Sequence, residues 1–84
     1  VLSFDLDAIA AAYAPGVSAP QAEGLSSRDA IEICEIAGTH PKVRSLGLFE
    51  LNPDFDQDGR TARLAATMAW HFLAAKMKGL KGLK

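Results

Sequence analysis

Ser3-Phe4-Asp5-Leu6-Asp7 is the stretch on which the fold turns. Val1, Leu2 and Phe4 make a mostly apolar approach, which predicts a buried strand ending in two carboxylates. Strand geometry then places Asp5 and Asp7 on one face, roughly 7 Å apart at ~3.3 Å rise per residue. Two acids so placed either take up a proton or share a cation, and open α/β sheets bind ligands at the carboxyl ends of their strands. Paired carboxylates suit a hard divalent ion such as Mg, Mn or Ca, the alternative being a solvated turn that carries two acids.

Downstream, Ala8 to Tyr13 allows one helical turn, and Pro15, Gly16 and Pro20 then forbid a longer helix. The apolar loop that results is expected to wall whatever pocket the acids face. Ser26 followed by Asp29 predicts a capped helix start. Ala30, Ile31, Ile33, Cys34 and Ala37 continue at helical spacing, with Gly38 expected as a left-handed stop.

A second strand is predicted over 43–51, its Leu46-Gly47-Leu48-Phe49 core buried on both faces. Strand, helix and strand in this order imply a right-handed crossover between parallel strands. Glu50 then ends on the same rim as Asp5 and Asp7.

Asp54, Asp56, Asp58 and Gly59 imitate the start of a calcium loop. The twelfth position is Ala65 rather than Glu, and Pro53 breaks the helix that should lead in. Asp58 is therefore expected to cap a second helix over 60–76, with Ala62, Leu64, Ala65, Met68, Ala69, Phe72 and Leu73 on its packed face. Lys76, Lys78, Lys81 and Lys84 suit its negative end, and Gly79 and Gly82 predict fraying beyond.

The 84 residues allow one small domain, which buries only ~60–65% of its unfolded surface. A start inside a strand without Met gives the expectation of a segment of a longer chain. With 49% hydrophobic residues, 23% charged residues and a net charge of −1, no field steers it toward nucleic acid or membrane lipid. Cys34 is expected as a buried structural thiol, and His71 as a surface or half-buried side chain without ligand spacing. A reducing cytoplasm is the expected compartment.

Four ordered blocks carry a family pattern: Ser3-Phe4-Asp5-Leu6-Asp7; Ala14-Pro15-Gly16 with Pro20 and Gly24-Leu25; Glu50-Leu51-Asn52-Pro53; and Asp58-Gly59-Arg60-Thr61-Ala62. Together they resemble the carboxyl-terminal portion of the ureohydrolase superfamily, which includes arginase, agmatinase and formimidoylglutamase. Residues 55–63 look most like formimidoylglutamase, and Ile9 and Ala10 after Ala8, where many relatives carry Asp-Pro, are compatible with it.

The resemblance implies a β-α-β-α segment of a three-layer α/β/α fold with a central parallel sheet. Residues 1–78 would be part of one hydrolase domain and 79–84 a basic tail. It implies two manganese ions, with Asp5 and Asp7 among their ligands and the others supplied by a histidine and an Asp-x-His-x-Asp motif upstream, which this chain does not contain. Glu50 matches the carboxylate that holds the substrate's amidinium. The implied activity is hydrolysis of a linear amidine, N-formimidoyl-L-glutamate, to glutamate and formamide. The alternatives are agmatinase or another guanidino hydrolase, or a structural segment inert by itself. The implied partners are the remaining amino-terminal part of the same enzyme and further copies in a homo-oligomer.

Overall fold

The structure, a computed structural model, describes residues 2–17, 23–56 and 58–82, the last four of these in backbone only. Val1, the stretch 18–22 with Pro20, Gln57, and 83–84 with Lys84 lie outside the described residues. The element order is β1 (Leu2–Asp5), α1 (Ser27–Thr39), β2 (Leu46–Phe49) and α2 (Arg60–Gly82).

The strands pair in parallel, from Leu2 beside Leu46 to Asp5 beside Phe49. This is the α/β arrangement expected from strand, helix, strand order, since a parallel partner requires a long connection. The second strand is shorter than 43–51. Its residues Leu46, Gly47 and Leu48 are half-buried and Phe49 is exposed, rather than covered on both faces. Two paired strands alone cannot cover both faces of either one.

Ser26 and Asp29 form the expected reciprocal cap: the Asp29 amide donates to the serine hydroxyl at 3.1 Å, and the Ser26 amide donates to the Asp29 carboxylate at 3.2 Å. Gly38 does not stop α1. The helix continues to Thr39, and Gly38 has no positive φ. Its role is close approach to α2, because a Cβ there would lie 2.5 Å from the Phe72 carbonyl oxygen and 2.8 Å from the Ala75 Cβ. Lys76 adds a tie beside this contact by donating to the carbonyl of His40, the residue that caps α1, at 2.8 Å, a carbonyl that also accepts from the Val43 amide at 3.1 Å.

The second helix runs to Gly82, beyond the expected end near Lys76. Although it has 23 residues, no described helix is long and apolar enough to cross a membrane. Met68 and Phe72 from α2 join Ala30, Cys34 and Ala37 from α1 in the core, with Phe4, Leu6, Ile9, Ala14 and Val17 from the strand and loop side. Cys34 is fully buried, and burial pushes its thiol up, in keeping with a structural role. Trp70 is 64% exposed, edge-on to His71, whose Nδ1 lies 3.4 Å from the Glu35 carboxylate.

Candidate metal and substrate site

The acidic pair is not laid out along a strand. Asp5 ends β1, and Leu6–Ala8 winds into one 3-10 turn with Asp7 inside it. Leu6, 1% exposed, drives that turn by burying its side chain in the core. The strand alternation expected to set the spacing of the two carboxylates therefore ends at Asp5. Partial desolvation, then the hydrogen bond with Asp5, then the negative charges of Asp5 and Glu50, hold Asp7 above the usual carboxylate range.

The parallel register brings Glu50 to the same end of the strand pair as Asp5 and Asp7. Asp5 lies beside Phe49, and Glu50 is the next residue. Its φ is +73°, the left-handed region that a non-glycine residue enters at a cost of order 1–3 kcal/mol. Nothing in the sequence announces this kink.

The segment after Glu50 is tied to the loop after the acids. Val17 bridges Leu51 in antiparallel sense, and the Asn52 amide donates to the Gly16 carbonyl at 2.6 Å. Ala14 and Val17 are fully buried, so this part of the loop is a packed wall beside Glu50. Ser18, Ala19 and Pro20, the rest of the expected wall, lie outside the described residues.

The cap of α2 is Asp56 rather than Asp58. Its two carboxylate oxygens accept from the amides of Thr61 at 2.8 Å and Ala62 at 3.1 Å. Asp58 and Gly59 have φ of +50° and +75°, which turns the chain so that the acid further upstream faces the helix end. Asp58 instead pairs with Arg60 at 3.3 Å and Arg63 at 3.6 Å. Thr61, fully buried and given no role by the sequence, accepts from the Gly16 amide at 2.8 Å.

Asp5 and Asp7 offer oxygen only, the donor type that hard divalent ions take. This donor chemistry fits a hard divalent ion. Among the described residues, no group of three or more His, Cys, Asp and Glu side chains is arranged to hold a metal. The pair is at most part of a ligand set.

Comparison with known proteins follows the same lines. Formimidoylglutamase of Staphylococcus haemolyticus is 44% identical over 68 residues, which is 81% of this chain and 22% of that protein. Its Staphylococcus aureus counterpart is 43% identical over the same length. The crystal structure of Trypanosoma cruzi formiminoglutamase with Mn2+ superposes with a TM-score of 0.83 at 39% identity, covering 88% of this chain and 25% of that one. Arginase from Bacillus subtilis gives 0.81 at 30% identity, covering 86% and 27%. The chain therefore spans about a quarter of the length of the relatives it matches. A family model for arginases matches residues 1–75, and with the parallel β-α-β-α arrangement this shows that the chain belongs to the arginase family.

Proposed function

We propose that this chain is the carboxyl-terminal segment of a manganese-dependent hydrolase of linear amidines, acting on N-formimidoyl-L-glutamate. The observation that carries the proposal is the convergence of Asp5, Asp7 and Glu50 at one end of a parallel strand pair. Identity of 43–44% with bacterial formimidoylglutamases favours the amidine over a guanidine.

Asp5 and Asp7 would contribute carboxylates to the metal site, and the remaining ligands would come from the rest of the protein. When bound, the ions supply a water acidic enough to attack an amidine carbon at neutral pH, together with positive charge beside it. Glu50 binds the amidinium through charge-assisted hydrogen bonds, which suit a near-planar N–C–N group. Its left-handed backbone turns the side chain out of the strand's alternation. The wall at 14–17 restricts water on that side. Addition of water and loss of the amine then give formamide and glutamate.

In this proposal residues 1–78 belong to the hydrolase domain and 79–84 are the basic stretch that follows, its first four residues still in α2. The rest of the enzyme and further copies complete the assembly. A free Cys34 suits a reducing cytoplasm.

The test is an assay of the full-length protein, stripped of metal and then reconstituted. Manganese-dependent release of formamide from N-formimidoyl-L-glutamate supports the proposal. Urea release from arginine or agmatine would instead favour a guanidino hydrolase, the reading to which the arginase likeness lends support. Turnover unaffected by metal removal would overturn both.

A further inference from the structure

Two hydrogen bonds meet at Thr61. Its hydroxyl oxygen accepts from the Gly16 amide at 2.8 Å, and its own amide donates to the Asp56 carboxylate at 2.8 Å. Gly16 in turn accepts from the Asn52 amide, two residues after Glu50. A continuous path thus runs from the start of α2 through the loop at 14–17 to the backbone that follows the left-handed Glu50. The loop also lies close against Asp56, since a Cβ on Gly16 would lie 2.6 Å from the Asp56 Cβ.

A left-handed non-glycine residue persists only where its surroundings over-determine it. Leu51 and Asn52 are both held to the loop, by a bridge to Val17 and by the bond to Gly16, and Thr61 holds Gly16. Thr61 itself is too deeply buried to meet substrate. We infer that Thr61, anchored by Asp56, is a positioning residue that fixes the aim of the Glu50 carboxylate by pinning the Gly16 loop against Asn52. The inference rests on the assignment of Glu50 to the amidinium.

The test uses the full-length protein with manganese bound. Thr61→Val keeps the side-chain shape and removes the hydroxyl to which Gly16 donates, whereas Thr61→Ser keeps it. Misplacement of a binding group by about 1 Å can cost ~100-fold, so Thr61→Val is expected to lower kcat/KM by about 10- to 100-fold, mainly through KM. Manganese content should stay unchanged, and Thr61→Ser should restore most of the loss. Hydrogen exchange at the Gly16 and Asn52 amides should accelerate in Thr61→Val, with α1 unaffected.

In a Glu50→Gln background the Thr61→Val effect should largely disappear. An equal loss in both backgrounds, an unchanged KM, or failure of Thr61→Ser to rescue overturns the positioning role. Should Thr61→Val not fold, Asp56→Asn is put through the same measurements with the same expected pattern. Glu50→Gln with full activity would refute the assignment of Glu50. Impaired Glu50→Gln alongside unimpaired Thr61→Val would refute the positioning alone.

Discussion

Lys76 on α2 donates to the carbonyl of His40 at 2.8 Å, and the ammonium also lies 5.7 Å from the Phe72 ring centre. One side chain therefore closes the end of α1 and covers the point where Gly38 touches α2. Gly38→Ala tests that contact. Alanine favours a helix by roughly 0.5–1 kcal/mol over glycine, but overpacking against a rigid backbone costs about 1–3 kcal/mol. The expected outcome is net destabilisation, read as a lower denaturant midpoint of the full-length protein with an unchanged slope.

Asp56 makes stability acid-sensitive. Partial desolvation works against its ionised form, but the Thr61 amide, the Thr61 hydroxyl, the Ala62 amide and the Arg63 charge outweigh it and hold the carboxyl below its ordinary range. A depressed folded-state value means that the contribution is full above the unfolded-state value and fades as pH falls through the folded one. Asp56→Asn should thus lower the midpoint at neutral pH and flatten the acid limb of stability against pH. Unfolding series from pH 7 down to pH 2 measure both.

In the full-length protein Asp7 and Glu50 should fail differently. Asp7→Ala removes a proposed metal ligand, so manganese content and turnover should fall together. Glu50→Gln keeps size and metals but gives up the charge proposed to hold the amidinium, with an expected loss of roughly 30- to 1,000-fold in kcat/KM. Elemental analysis beside kinetics separates the two.

Cys34 should resist thiol reagents in the folded protein at pH 8. It is fully buried, and its thiol is pushed up by that burial, so both access and thiolate are lacking. Labelling should be slow in buffer and fast in denaturant, without disturbing activity in the unlabelled protein.

What was legible in the sequence was local or set by connection length. The Ser26–Asp29 cap reads directly because its partners are three residues apart. The parallel pairing reads from strand, helix, strand order, and with it the meeting of Asp5, Asp7 and Glu50 at one end. What was not legible depends on distant partners. Gly38 looks like a helix stop until Phe72 is seen opposite. Asp56 and Asp58 are equally good caps on paper, and the left-handed pair at Asp58 and Gly59 selects between them. Thr61 stands in one of the family blocks, but its role is not legible there because it comes from Gly16, 45 residues away.

The in-step ladder from Leu2 beside Leu46 to Asp5 beside Phe49 also acts as a ruler. A slip of one residue would carry Glu50 about 3.3 Å along the sheet and turn alternate side chains to the opposite face. Changes in the length of the intervening chain that leave the ladder intact would leave the offset between the acids untouched. The ladder thus sets the count from Asp5 to its rung at Phe49 and from that rung to Glu50, independently of the length of the chain between the strands.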